Sequence, residues 1–263
     1  MQKKERYSYD DLLEIIKILR GKDGCPWDME QTHESLLSNL LEETYEVIDA
    51  IKKKNKEALK EELGDLLLQV IFHARISEEG NEFNMEDVAD GICKKLILRH
   101  PHIFGDVVAK STKKVLQNWE QIKKVEKGYK SQTEVLKSVP EVLPSLLRAY
   151  KVQSKAAHVG FDWDDIKDAL EKVNEEWNEL MEAYKNGNNN NIIEEYGDLL
   201  FSFVNIARFL KINPEFALTN TTEKFINRFE YVENTAISKD KRLEDMTLEE
   251  MDNLWDEAKL ISP

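Results

Sequence analysis

The chain has 263 residues, 41% hydrophobic and 33% charged, and its 37 basic against 51 acidic side chains give a formal net charge of −14. A chain this long buries a core without disulfide or metal staples, which excludes a stapled miniprotein. The acidic balance excludes one that holds nucleic acid chiefly by neutralising phosphates, a task that takes a clustered basic excess. Cys25 and Cys93 form no Cys-x-x-Cys motif and read as free thiols of a reducing compartment. The stretch from Met1 to Asp10 is polar, and nothing approaches the run of about eighteen apolar residues that a membrane span needs. These features predict a cytoplasmic protein with no membrane or nucleic-acid partner.

Apolar residues recur at spacings of three and four almost throughout, with little period-two alternation, which predicts an all-α fold. The first helix is expected over Tyr9 to Leu19, capped by Ser8 with Asp11 three residues on and stopped at Gly21. A Gly-Cys-Pro-Trp-Asp loop follows. A long helix is expected from near Thr32, with Leu37, Leu40, Leu41, Thr44, Val47, Ile48 and Ile51 on one stripe, interrupted by the lysine-rich run Lys52 to Lys56. The third spans roughly Glu57 to Glu79 and ends at Gly80. Asn84, with Asp87, caps a fourth that stops before Pro101, and Ser111 opens a fifth that ends near Gly128. The tract Lys130 to Pro144, with Pro140 and Pro144, is the candidate linker.

Beyond that tract the pattern returns at a fixed offset: 176 − 43, 179 − 46, 195 − 62, 197 − 64, 198 − 65 and 208 − 75 all equal 133, and each subtraction pairs identical residues. With small length changes, Trp27-Asp28 faces Trp163-Asp164, Lys95 and Arg99 face Lys224 and Arg228, and Trp119 with Lys123 faces Trp255 with Lys259. Two copies are too few for a solenoid, and each is domain-sized. The expected architecture is two tandem, related helical-bundle domains: 1–130, a connection with a helix over 131–155, and 156–263.

Each copy carries Glu-Glu-x-x-Glu and then Glu-x-x-Asp. Residues three apart share a helix face, so Glu176 with Glu179 and Glu195 with Asp198 make two pairs, as do Glu43 with Glu46 and Glu62 with Asp65. The Asn-rich turn at Asn186 to Asn191 would fold the two helices antiparallel and bring four carboxylates together. Such a cluster repels itself unless cations occupy it, and hard oxygen donors select Mg²⁺ or Mn²⁺ over zinc. Glutamates on helices are ordinarily solvated surface, and it is the repetition that marks these. Gly64 and Gly197 sit mid-helix inside the second motif, where glycine costs roughly 0.5–1 kcal/mol relative to alanine. Either a neighbouring helix or a ligand comes close there.

Lys224 and Arg228 are four apart on one helix, Trp255 and Lys259 four apart on another. Cations at that spacing grip phosphate oxygens and a tryptophan stacks on any base, so the group fits a metal-bound polyphosphate with an aromatic head. His100-Pro101-His102 reads as a loop, not a metal site. Glu30 and His33 form one Glu-x-x-His without a counterpart in the second copy, too little for a di-iron bundle. No Walker loop, nucleophile elbow or Gly-x-Gly-x-x-Gly is present, so phosphate chemistry would have to run through metal.

The sequence resembles the MazG family of nucleoside triphosphate pyrophosphohydrolases over nearly its whole length. The resemblance rests on Gly24-Cys25-Pro26-Trp27-Asp28, Leu41-Glu42-Glu43-Thr44-Tyr45-Glu46, Glu62-Leu63-Gly64-Asp65-Leu66-Leu67, Arg99-His100-Pro101-His102 and Val159-Gly160-Phe161-Asp162-Trp163. It implies an all-α homodimer that converts (d)NTPs to the monophosphate and pyrophosphate with Mg²⁺ and with broad base tolerance. It implies further that Glu176, Glu179, Glu195 and Asp198 bind metal and that Lys172, Glu194, Lys224, Arg228 and Trp255 hold nucleotide. By the internal repeat, Glu43, Glu46, Glu62 and Asp65 form a second metal set, and Lys95, Arg99 and Lys259 join the nucleotide-binding candidates. Lys172 corresponds to Asn39 by the offset of 133, so the first copy lacks one cation, and the second domain is expected to be the main catalyst. Water is expected to attack the α-phosphorus in line, with Glu175 or Glu194 taking the proton. Two rival readings stay open: a helical pyrophosphohydrolase with a narrow substrate (dUTP, a modified nucleotide or a guanosine alarmone), and a non-catalytic helical module whose acidic face binds a basic partner.

Overall fold

The structure, a computed structural model, describes residues 3–107 and 111–261, and the chain divides into two compact units, Met1–Glu126 and Lys127–Pro263. Among the described residues the regular structure is entirely helical. No described helix is long and apolar enough to cross a membrane.

The first unit contains α1 (Tyr9–Leu19), α2 (Pro26–Glu30), α3 (Leu37–Lys52), α4 (Lys56–Glu79), α5 (Met85–Arg99), α6 (Pro101–Phe104) and α7 (Thr112–Glu126). The start of α1 is a reciprocal capping box, with Ser8 Oγ accepting from the Asp11 amide (3.3 Å) and Asp11 Oδ2 from the Ser8 amide (2.9 Å). Asn84 and Asp87 do the same for α5 at 3.0 Å each way. Gly24 belongs to the turn after α1, where a Cβ would overlap the Leu19 carbonyl. Arg20, its side chain 5% exposed, donates to the Asp28 and Gln31 carbonyls (2.5 and 3.1 Å) and pairs with Glu79 of α4 (2.8 Å), fastening α2 to the bundle. Ile16, Leu36, Ile71 and Phe72 form the core there.

Four expectations for this unit are corrected. The Gly-Cys-Pro-Trp-Asp segment is a loop only at its start, because Pro26 takes the first position of α2 and carries Trp27 and Asp28 into the helix. The second long helix begins at Leu37 instead of near Thr32, because Thr32 and Ser35 exchange side-chain-to-amide bonds (2.9 and 3.2 Å) that hold a separate turn and drive Leu36 into the core. The segment at His100-Pro101-His102 is not a loop: Pro101 opens the short helix α6, its fixed φ suiting a first helical position. The apolar stripe of α3 is also only partly inward, with Leu37 61% and Leu41 58% exposed.

The second unit contains α8 (Gln132–Lys137), α9 (Ser145–Ala157), α10 (Ile166–Asn186), α11 (Asn189–Phe209), α12 (Pro214–Ser238), a 3-10 turn (Leu243–Asp245) and α13 (Leu248–Ile261). The stretch 131–155, expected to connect the domains, holds α8 and α9. Helix α9 packs on α11 as α1 packs on α4, and it starts 145 − 9 = 136 residues after α1, so it occupies the place of α1 in the second copy. Gln153 of α9 donates to the Phe201 carbonyl of α11 (2.8 Å), and α9 also packs on α12.

Candidate active site

The second copy's site is a helical hairpin. Asp165 caps α10 by accepting from the Lys167 amide (2.8 Å), Gly187 ends it in the left-handed region (φ 69°), and Asn188 caps α11 by accepting from the Asn190 amide (3.1 Å). Two residues, Gly187 and Asn188, thus reverse the chain, and α10 packs along α11. The first copy makes the same hairpin from α3 and α4, joined through Lys54 at φ 53° and the cap Asn55.

The hairpin brings carboxylates together in both copies. Carboxylate oxygens of Glu176, Glu179 and Glu195 all lie within 4.8 Å of one another, as do those of Glu43, Glu62 and Asp65. The fourth member of each expected set stands beside its triad: Asp198 is among the charges acting on Glu195, and Glu46 shares a hydrogen bond with Glu62. The crowding is legible in the titration of these groups. Loss of hydration, then repulsion from Glu179, Asp198, Glu176 and Glu194, raises the Glu195 carboxyl above its ordinary range. Loss of hydration followed by repulsion from Asp65, Glu46, Glu42 and Glu62 raises Glu43, and Glu62 is raised by desolvation and by its acidic neighbours.

The copies differ at one cation. In the second, Lys172 Nζ lies 2.7 Å from Glu176 Oε1 and 2.8 Å from Glu175 Oε1, and these bonds raise its pKa well above the usual lysine range. Glu176 is 6% exposed, so this ion pair reaches the buried root of the cluster. At the equivalent place in the first copy stands the neutral Asn39. Glu194 is exposed on α11 next to Glu195.

The basic and aromatic candidates assemble separately. Lys224 and Arg228 lie on α12, Trp255 and Lys259 on α13, and the two helices pack together. The Arg228 guanidinium carbon is 6.0 Å from the Trp255 ring centre, and Phe225 meets the same ring at 5.0 Å. Lys224 is exposed, and Lys259 pairs with Asp256 (2.8 Å). Helix α9, packed on both α11 and α12, links this group to the carboxylate hairpin. In the first copy Arg99 and Lys123 flank Trp119 at 5.4 Å each, and Arg99 is buried against Glu126, Nε to Oε2 2.8 Å. Lys95, one turn earlier on α5, is exposed.

Several contributors escaped the sequence reading. Phe225 braces Trp255 and was not singled out by any spacing. Asp162 of the Val-Gly-Phe-Asp-Trp loop pairs with Arg208 of α11, a partner that spacing does not identify although Arg75 and Arg208 marked the repeat. His33 and His73 meet Nδ1 to Nδ1 at 2.8 Å with Ser77 Oγ 3.2 Å from His33 Nε2, so the His33 of the lone Glu-x-x-His serves a hydrogen-bonded pair between the 32–36 turn and α4. At Gly64 and Gly197 an added Cβ would meet nothing within 4 Å among the described residues, so no helix described in its own unit accounts for either glycine.

Fold and sequence together define a class: a duplicated all-α enzyme domain, each copy of which carries a carboxylate-rich helical hairpin. A family profile described as the MazG nucleotide pyrophosphohydrolase domain matches residues 31–104 and 165–233, one match over each hairpin. The nucleoside triphosphate pyrophosphohydrolase/pyrophosphatase MazG of Thermotoga maritima is 45% identical over 95% of both chains. The nucleoside triphosphate pyrophosphohydrolase of Escherichia coli K12 is 42% identical over 95% of this chain and 96% of its own. An uncharacterized Bacillus subtilis protein, YabN, is 49% identical over 96% of this chain and 52% of its own length. The chain belongs to the MazG family of nucleotide pyrophosphohydrolases.

Proposed function

We propose that this protein hydrolyses nucleoside and deoxynucleoside triphosphates to the monophosphate and pyrophosphate, with Mg²⁺ (or Mn²⁺ in its place) and with broad base tolerance. The observation that carries the reading is the convergence of Glu176, Glu179 and Glu195 within 4.8 Å, in a family whose relatives bear that activity in their names. The donor set fits a hard divalent ion: it is all carboxylate, and the Glu195 carboxyl is raised first by lost hydration and then by the acidic neighbours whose charge a cation would relieve. Mg²⁺ held there supplies charge neutralisation for the triphosphate and acidifies a coordinated water. Glu176, Glu179, Glu195 and Asp198 hold the ion, Lys172, Lys224 and Arg228 hold phosphate oxygens, and Trp255 stacks on the base. Stacking takes any base because each has a π-face. Glu175 is already engaged by Lys172, so Glu194 is our choice of proton acceptor as water attacks the α-phosphorus and pyrophosphate departs.

The second domain is proposed as the main catalyst, since Lys172 has no charged counterpart in the first and Arg99 there is committed to Glu126. We propose a homodimer. Trp177 and Tyr184 on α10, and Ile193, Tyr196, Leu200 and Phe203 on α11, are exposed at helical spacings of seven, three and four, an apolar face that a second hairpin would cover.

The test is to incubate the purified protein with each (d)NTP and Mg²⁺ in ¹⁸O-water, with EDTA controls, and to identify the products. Monophosphate carrying the label, plus unlabelled pyrophosphate, from several bases is the expected result. Label in pyrophosphate would refute attack at the α-phosphorus, turnover of one substrate would establish the narrow alternative, and no metal-dependent turnover of any triphosphate would refute the reading.

A further inference from the structure

The proposed metal site of the second copy contains an internal cation, Lys172, where the first has the neutral Asn39. Lys172 Nζ bonds Glu176 Oε1 at 2.7 Å, and Glu176 is one of the three residues whose oxygens converge within 4.8 Å. Glu176 is also the buried member, so its lone pairs are the least exchangeable with water. A divalent ion coordinated by that carboxylate must share it with an ammonium or displace the ammonium. A displaced Lys172 lies one turn from the cluster on α10, within reach of the phosphates that such an ion brings with it. In the first copy the equivalent residue is Asn39, which carries no charge to compete at that place beside Glu43, Glu62 and Asp65.

We propose that Lys172 couples metal and triphosphate binding in the second copy: it lowers the affinity of the carboxylate triad for a divalent ion alone, and it yields Glu176 when a triphosphate offers its ammonium a better partner. The first copy, with Asn39, binds a divalent ion without this dependence. The coupling is reciprocal, so the ion tightens triphosphate binding at the second site by the factor by which triphosphate tightens the ion. Lys172 is then a positioning residue for loading as well as a phosphate contact, and it disfavours an ion resting in the site without substrate. This inference rests on the metal-binding reading of the carboxylates given above.

The experiment uses Mn²⁺ as probe, with free ion counted by electron paramagnetic resonance, in the full chain with one site disabled at a time. In an E43Q/E62Q background only the second site binds, and K172N is expected to tighten Mn²⁺ without nucleotide by about tenfold. In an E176Q/E195Q background only the first site binds, and N39K is expected to weaken Mn²⁺ by a similar factor. Adding a non-hydrolysable α,β-imido deoxynucleoside triphosphate should tighten Mn²⁺ more in the Lys172 protein than in K172N. The complex of Mn²⁺ with the analogue in solution is common to both proteins and cancels. Mn²⁺ binding that is unchanged or weaker in K172N and unmoved by N39K overturns the inference and leaves the metal reading standing. Failure of Mn²⁺ to bind in either background overturns both. Should circular dichroism show K172N unfolded, N39K alone decides: unmoved affinity refutes the competition.

Discussion

At the scale of single residues the molecule sets a buried glutamate against its own lysine. Because Glu176 is the buried member of its triad, its loss removes the donor that water replaces least readily. We expect Glu176→Ala to lower kcat/KM for a triphosphate at least about 100-fold, more than the loss of a residue that merely supports a ligand. Glu43→Ala should cost much less, and equal losses from steady-state kinetics would sink the division of labour. Glu195 supplies a second prediction through its titration. Its folded-state pKa lies above the ordinary value of 4.5, so its contribution to stability is complete below that pH and is lost as pH rises through the folded value. In EDTA, Glu195→Gln should therefore melt higher than the parent at pH 7 and no higher at pH 4. Mg²⁺ should raise the parent's melting temperature at pH 7 and raise that of the variant less. Scanning fluorimetry at the two pH values checks both.

At the scale of elements, capping chemistry explains why hairpin and carboxylates coincide. Asp165, Gly187 and Asn188 fix where α10 begins and ends and where α11 starts, and the phase of both helices then decides which acids meet. Gly197 sits between Glu195 and Asp198 in a helix where the described residues of its unit leave it open space. Gly197→Ala should stabilise α11 by about 0.5–1 kcal/mol in urea unfolding, by removing the backbone entropy of glycine. Since nothing described in its own unit fills the space, the same substitution should weaken binding of a triphosphate or of a second copy. Titration calorimetry and sedimentation read those two, and a variant neutral in both would show that the glycine serves neither.

At the scale of the whole molecule, the duplication has left two sites with equal acids and unequal cations. The second carries Lys172 on its cluster, while the first carries Asn39 and an Arg99 held by Glu126. Each hairpin also exposes large apolar side chains beside its acids, Leu37, Leu41 and Tyr45 in one, Trp177, Tyr184 and Tyr196 in the other. A dimer that buries these faces is expected to sediment as two chains. Trp177→Asp, which places a charge on the apolar face of α10, should shift it toward monomer, and an unchanged sedimentation coefficient would place the contact elsewhere.

The sequence by itself determined the helical class, the duplication and the acidic sets, because each is a matter of spacing along one chain. Ser8 with Asp11 and Asn84 with Asp87 announced their helices through local hydrogen bonds, and the offset of 133 paired the carboxylates before any coordinate. Tertiary structure decided what depends on partners distant in sequence or on competition between local bonds. It held the turn of Thr32 and Ser35 apart from the helix of Leu37, joined His33 to His73, and seated α9 on α11 in the place that α1 takes on α4. It also showed the space around Gly64 and Gly197 and the outward face of Leu37 and Leu41. A periodic pattern records that a face is apolar, and packing alone records what that face meets.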